Sequence, residues 1–211
     1  MKRVFIKTVL ASVALVAMGV ASAQEKTIKF ANQNAVGHPI IQGMEKFKEI
    51  VEKQSGGKIK VNVFPGGALG SDQANVSAIQ GGALEMASMN SGIFASQVKD
   101  FAVFDFPFMF ASGKEADAVV DGAFGKKMHA KLEEKGLVGL GYYELGFRHM
   151  SNSKRPINKV ADIDGLKLRV IPNPINVDWV KALGANPTPL PFPELYAALE
   201  QKAVDGQENP V

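Results

Sequence analysis

The chain has 211 residues, with no cysteine, 24 lysine and arginine residues and 21 aspartate and glutamate residues. The lack of cysteine excludes a disulfide framework and a thiolate nucleophile, and a chain of this length can bury an ordinary core without such staples. Without the first 23 residues, which carry three cations and no acid, the charges balance at 21 each, so nothing predicts binding to nucleic acid or to an anionic membrane.

The first 23 residues have the pattern of a secretory signal peptide. Three basic residues open the chain, an apolar run follows from Val9 to Val20, and Ala21-Ser22-Ala23 supplies the small residues of a cleavage site. The apolar run is shorter than a bilayer span requires. We therefore predict cleavage after Ala23 and release into the periplasm; the alternative is an N-terminal membrane anchor.

From residue 27 to residue 89, strands and helices are predicted to alternate. TIKFAN (27–32), KIKVNVF (58–64) and LEMASM (84–89) have the composition of strands. Between them lie a helix over 39–54, whose apolar residues recur at helical spacing, and a helix that starts at Ser71 or Asp72 and runs toward Gln80. This alternation indicates βαβ units and a parallel sheet. The aromatic segment 101–110 is interpreted as connecting structure anchored in the core.

The second half of the chain repeats the alternation. A helical pattern broken at Gly122 covers 113–136, and strands are predicted at 137–146, 166–171, 187–190 and near the end of the chain. Helices are predicted over 176–183 and 193–202. The elements predict two α/β lobes, 24–145 and 146–211. The second lobe has too few strands to close a covered sheet, so the chain is expected to be truncated.

Catalytic and cofactor motifs are missing. The sequence has no G-x-S-x-G turn and no phosphate-binding loop, and the glycines of 139–146 lack the spacing of a dinucleotide fingerprint. The three histidines, His38, His129 and His149, are far apart in sequence. No catalytic residue, metal site or cofactor is therefore predicted, and the protein is not expected to be an enzyme.

Polar side chains cluster at the predicted carboxyl ends of strands, the edge where open α/β sheets bind ligands. They are Arg148, Arg169, Asn209, Asp72 and Asn90. Arginine presents a planar fork of donors that matches a carboxylate, so two arginines there predict an anionic ligand. The alternative is that each arginine pairs with an acid of the fold, such as Asp162 or Glu144. Lys167 shares the strand face of Arg169.

Several segments together resemble the solute-binding proteins of TRAP transporters, the DctP-type family. They are GKIKVNVFPGGALGSD, GFRHMSN, GLKLRVIPNP and LGANPTPLPFPELYAALEQKAVDGQENP, collinear over nearly the whole chain after residue 23. The resemblance implies a two-lobed periplasmic receptor that closes around an organic acid. It also implies delivery of the acid to a membrane permease, with no cofactor, and a monomer is expected.

The resemblance also implies roles for individual residues. Arg169 would hold the ligand carboxylate with support from Arg148, Asn209 would add a hydrogen bond at the hinge, and Phe192 would flank the ligand. Asp72 and Asn90 would meet its distal part; relatives that bind sialic acid have a glutamate in place of Asn90, which counts against that ligand.

Three more residues are candidate contacts: Asn173, Asn34 and His38. His38 has the alternative of a turn residue before a proline, and Asn173 that of a supporting residue behind the ligand. The hydroxyl-binding character of Asp72 and Asn90 favours a sugar acid or hydroxy acid, with keto acids and C4-dicarboxylates left open. A ligand-presenting sensor and an exported enzyme acting on organic acids are the alternative functions.

Overall fold

A computed structural model describes residues 26–210, so the predicted signal peptide lies outside the described residues. Within that range the chain forms two separate sheets, one of three strands and one of four. Six of the strands run parallel to a neighbour, and helices flank both sheets. The predicted fold class, mixed α/β with mostly parallel sheets, is confirmed. No helix within 26–210 has both the length and the apolar character to cross a bilayer.

The first sheet is a parallel β2-β1-β3 arrangement. Its elements follow the chain as β1 (Lys26–Ala31), α1 (Pro39–Gln54), β2 (Ile59–Phe64), α2 (Asp72–Gln80) and β3 (Met86–Ala87). Pro39 begins α1, where its missing N–H costs nothing, and the Ser71 side chain caps α2. Buried residues of β1, α1 and β2 form one hydrophobic core on this sheet.

The segment between the two sheets is mostly helical. Short 3₁₀ helices occupy Ser91–Ser96 and Lys99–Asp105, and α3 (Gly113–Val120) and α4 (Ala123–Glu133) lie on either side of Gly122, as predicted. A second core joins this segment to α2 and to Ile171.

The predicted strand over 137–146 is wrong, because the described chain has no helix or strand between α4 and His149. Leu137 and Leu145 of this segment pack against the cores of the first half instead. Alternating apolar residues report which side chains are buried, but a strand also needs a neighbouring strand to bond with. This segment has none among residues 26–210.

The second sheet has the order β4-β7-β5-β6. Its elements are β4 (His149–Asn152), β5 (Lys167–Val170), α5 (Pro174–Ala182), β6 (Asn186–Pro189), α6 (Leu195–Glu200) and β7 (Gly206–Asn209), with 3₁₀ turns at Val160–Ile163 and Phe192–Glu194. Strands β5, β6 and β7 are parallel, whereas β4 runs antiparallel to β7 with His149 opposite Asn209. A third core lies on this sheet, and Trp179 packs against it. The lobe boundary after residue 145 stays a prediction.

Candidate ligand-binding site

A cavity of about 1370 Å³ lies between the carboxyl edges of the two sheets. The first sheet contributes the loop 32–36 after β1 and residues 88–91 after β3, and the extended segment 136–143 forms another wall. The second sheet contributes Arg148, Arg169, Gln207 and Asn209, with Phe192 beside them. The cavity therefore occupies the position where open α/β sheets bind ligands.

Arg169 is the most deeply buried cation of this wall. It lies in β5, is only 2% exposed, and donates from Nε to the carbonyl oxygen of Leu190 at 2.8 Å. Its Cζ lies 5.7 Å from the centroid of the Phe192 ring, within cation–π range. No carboxylate within residues 26–210 forms an ion pair with this guanidinium. Burial lowers the pKa of Arg169 to about 10, which leaves it charged at neutral pH.

Lys167, on the same face of β5, is placed differently. It is the first residue of the strand and is exposed. Its main-chain N–H donates to Asp205 at 3.0 Å, outside the cavity wall. The alternation of side chains along β5 places both cations on one face and so could not tell which of them is buried. Their positions along the strand decide this, because Lys167 stands at its exposed start and Arg169 in its buried part.

Arg148 lies at the same edge of the second sheet, although it stands before a strand and not after one. It was predicted to follow the carboxyl end of a strand, which is wrong, because Arg148 precedes β4. Since β4 is antiparallel to β7, the start of β4 lies beside the carboxyl end of β7. Arg148 forms an ion pair with Glu208, and its Nη2 donates to Asn209 Oδ1 at 3.0 Å. Its Nη1 is buried without a hydrogen-bond partner among the described residues.

The two arginines thus have different partners. Internal pairing holds for Arg148, although its acid is Glu208 and not Asp162 or Glu144. Sequence reasoning missed Glu208, which is 1% exposed; the only signal was a lone acid next to Asn209 in a short strand. Asn209 lines the cavity and donates from Nδ2 to Gln207 Oε1.

Asp72 lies behind the first-lobe wall of the cavity and is 2% exposed. Its Oδ2 accepts hydrogen bonds from Gln33 Nε2 at 2.9 Å and from the main-chain N–H of Asn90 at 3.1 Å, and both of those residues line the cavity. Its Oδ1 is buried without a partner in the described chain. Burial raises the pKa of Asp72 to about 6, against the opposing effects of the Asn90 N–H and of Arg169. Sequence reasoning missed Gln33.

The other first-lobe candidates line the cavity. Asn90 uses Oδ1 to accept from the Gly92 N–H at 2.9 Å, which caps the 3₁₀ helix at Ser91. The Asn34 side chain also faces the cavity. His38 lines the cavity and caps α1, its Nδ1 accepting from the Ile40 N–H at 3.2 Å. His38 therefore combines a place in the cavity wall with a capping role at the start of α1, and its contact with a ligand stays a prediction.

Asn173 does not line the cavity. Its Oδ1 caps α5, and its Nδ2 donates to the Gly92 carbonyl oxygen and to Asp105 Oδ2, each at 2.9 Å. Asp105 also accepts from Asn176 Nδ2 at 3.1 Å, and burial raises its pKa. This junction holds α5 against the first half of the chain, and Asn173 belongs to it and not to the cavity lining. Sequence reasoning missed Asp105.

Among residues 26–210, no group of three or more histidine, aspartate or glutamate side chains could hold a metal ion. The polar side chains of the wall are mainly arginine, amide and hydroxyl groups, together with His38, His129 and Glu85. The arginine, amide and hydroxyl groups bind carboxylates and hydroxyls by hydrogen bonds.

Residues 30–211 match the family described as bacterial extracellular solute-binding protein, family 7. The chain belongs to this family. The resemblance to the DctP-type proteins is thereby confirmed, and the members of family 7 are solute-binding receptors.

Three similar proteins illustrate the range of family 7. The 2,3-diketo-L-gulonate-binding periplasmic protein YiaO of Escherichia coli (strain K12) is 34% identical over 93% of this chain and 60% of its own length. The C4-dicarboxylate-binding periplasmic protein DctP of Rhodobacter capsulatus is 37% identical over 90% of this chain and 57% of its own.

A solved structure, the sugar acid binding protein DctPAm from Advenella mimigardefordensis strain DPN7T in complex with galactonate, is 45% identical with a TM-score of 0.87. The match covers 89% of this chain and 60% of that one. This chain therefore spans at most about 60% of the length of these members of family 7.

Proposed function

We propose that this chain belongs to a periplasmic receptor that captures an organic acid and delivers it to a TRAP-type membrane permease. The observation that carries the proposal is the Arg169 guanidinium, which is buried at the cavity wall and forms no salt bridge with a carboxylate of the described chain, although the charges of Glu208 and Asp72 act on it from a distance. A buried charge of this kind is costly unless an opposite charge meets it. The carboxylate of the ligand supplies that charge.

The surroundings of Arg169 suit a carboxylate. The Nε bond to Leu190 fixes the guanidinium plane, which leaves the two terminal nitrogens for a bidentate contact. Arg148 adds a second positive group at the same edge, with an unpartnered Nη1. Phe192 stacks near the guanidinium and gives the ligand an apolar neighbour. Asn209 and Asn90 add amide hydrogen bonds to the proposed contact set.

Calorimetric titration with organic acids, including galactonate and succinate, tests the proposal. Arg169→Ala is expected to lose about 3–5 kcal/mol of binding free energy, because a buried ligand charge loses its partner. Arg169→Lys is expected to weaken binding strongly as well, since an ammonium cannot make the two-pronged contact. Arg155→Ala, at an exposed arginine, is the matched control. Near-normal affinity in Arg169→Ala would contradict the proposal.

The remaining parts of the proposal concern location and downstream partner. The predicted signal peptide and the periplasmic relatives support export to the periplasm. Solute-binding relatives and the missing catalytic motifs support a receptor that binds its ligand unchanged. Co-purification with the membrane permease, and recovery of the ligand chemically intact after binding, test these parts. Signalling through a membrane kinase without uptake of the acid would favour the sensor alternative.

A further inference from the structure

The basic side chains around the cavity differ in whether an acid of the protein pairs with them. This difference affects how much negative charge a ligand can carry. Four basic side chains line the wall within residues 26–210: His38, His129, Arg148 and Arg169. Arg148 is already paired with Glu208. Arg169 is therefore the one arginine of this wall that has no acid partner among the described residues.

Neither histidine supplies a second free cation. His38 is already engaged through Nδ1, which accepts the hydrogen bond that caps α1. His129 stacks on Tyr142 with ring centroids 4.5 Å apart, and burial lowers its pKa, which favours the neutral ring. No lysine lines the described wall. Among the described lining residues, Arg169 is thus the one cation without a salt bridge, and the nearby charges of Glu208 and Asp72 already offset part of its charge, so this wall can balance at most one ligand carboxylate.

The opposite wall carries a negative charge just behind its surface. Asp72 is buried, and the Gln33 amide and the Asn90 N–H hold one of its oxygens. Burial raises the pKa of Asp72 to about 6 although these donors favour the ionised form, so the carboxyl group is mostly ionised above that pH, and its second oxygen has no hydrogen-bond partner within 26–210. A second carboxylate on the ligand, placed against Gln33 or Asn90, would lie next to this anion. Like charges at such a site cost several kcal/mol.

The groups that remain free on that wall are uncharged. Asn90 Nδ2, Gln33 Oε1 and the Asn34 side-chain amide form no hydrogen bond with the rest of the described chain. Together they offer both donors and acceptors. A hydroxyl group uses both, because it donates one hydrogen bond and accepts others, whereas a carboxylate only accepts.

We infer that the site takes a polyhydroxy acid with a single carboxylate, and that Asp72 selects against a second carboxylate at the far end. The inference rests on the proposed function, since it assumes that Arg169 binds the ligand carboxylate. The inference narrows the organic acids considered to polyhydroxy acids with one carboxylate. Dicarboxylates, the ligands named for the Rhodobacter capsulatus relative, are expected to bind poorly here.

Matched acids that differ only in the terminal group test the inference. Galactarate replaces the terminal hydroxymethyl of D-galactonate by a carboxylate, and meso-tartrate does the same to D-erythronate. Calorimetry on the full-length protein at a pH of about 8 keeps Asp72 ionised, because its pKa is about 6. The singly charged acid of at least one pair is expected to bind about 100-fold tighter or more, since the second carboxylate finds no cation.

The variant Asp72→Asn separates the charge from the shape of the wall. It keeps an acceptor oxygen for Gln33 and Asn90 but removes the negative charge. We expect the preference for the singly charged acid to fall by about tenfold or more, because the repulsion is gone. Asp117→Asn, at an exposed position of α3, is the matched control and should leave the preference unchanged.

Three results would overturn the inference: a dicarboxylate that binds as tightly as its singly charged partner, an unchanged preference in Asp72→Asn, or no binding of any acid in either pair. The proposed function stands in the first two cases. In the third case it fails as well only if a wider screen of carboxylic acids also finds no ligand.

Discussion

The Nη2 group of Arg148 donates to Glu208 twice, to the carboxylate at 3.0 Å and to the main-chain carbonyl oxygen at 2.7 Å. The two residues are 60 positions apart, and the antiparallel β4–β7 pairing brings them together. Because of this ion pair, the two arginines differ in their partners. Arg148 is held by an acid of the protein, whereas Arg169 forms no salt bridge with any carboxylate among residues 26–210.

Removing the Glu208 carboxylate should destabilise the fold. In Glu208→Gln the Arg148 guanidinium loses its acid in a place where Glu208 is almost fully buried. We expect a loss of about 3 kcal/mol in the free energy of unfolding, because a broken buried pair leaves an uncompensated charge. Urea denaturation measures it.

Glu49→Gln is the control for that experiment. Glu49 pairs with Lys46 at 2.7 Å, but both side chains are more than half exposed. Surface pairs of this kind contribute about 0–1 kcal/mol. Equal losses in the two variants would contradict the role assigned to the Arg148–Glu208 pair.

The free energy of unfolding should change with pH as the Asp72 carboxyl group titrates. Its pKa is about 6 in the folded chain against 3.8 for the free side chain, so the folded state binds the proton more tightly. Stability from this group is therefore gained as the pH falls through about 6 and lost as it rises. Between pH values of about 7.5 and 5 the gain is about 1.4 kcal/mol.

Urea denaturation of the wild-type protein and of Asp72→Asn at both pH values isolates this effect. Asp105, whose pKa burial also raises, titrates in both proteins and cancels in the comparison. The wild type should gain more stability than Asp72→Asn on acidification. Identical pH profiles would show that Asp72 is not desolvated in the folded protein.

The packing of α5 against the first half of the chain should require a residue without a side chain at position 92, which is Gly92. A Cβ at this position would lie 1.8 Å from Asp105 Oδ2 and 2.6 Å from Asn173 Nδ2, so both groups would have to move. We expect Gly92→Ala to lose about 1–3 kcal/mol, the usual cost of overpacking. Thermal unfolding measures the loss. Gly141→Ala, where nothing lies within 4 Å of the added Cβ, is the control, and an equal loss there would contradict this account.

Local sequence patterns predicted most of the fold. Helix α1 begins at Pro39 and ends at Gln54, as its apolar spacing and flanking residues indicated. The break at Gly122 and strand β5 were also predicted correctly. These features depend on neighbours in sequence, such as caps and periodic burial, and a single sequence contains that information.

Segment 137–146 is a place where local patterns predicted burial correctly but secondary structure wrongly. Its apolar alternation is real, since Leu137 and Leu145 both pack against the cores. Whether it forms a strand depends on a partner elsewhere in the chain, and the described residues provide none. Burial can be read from periodicity, but pairing cannot.

The sequence by itself determined that an arginine stands in a short buried strand at the ligand-binding edge of an α/β fold, and that its motifs are those of solute-binding proteins. Only the tertiary structure decided which of the two arginines forms a salt bridge with an acid of the protein. That outcome depends on Glu208 meeting Arg148 across antiparallel strands and on no acid meeting Arg169 among residues 26–210. The physical reason is that charge pairing is set by distances of a few ångströms in space, which separation along the chain does not fix.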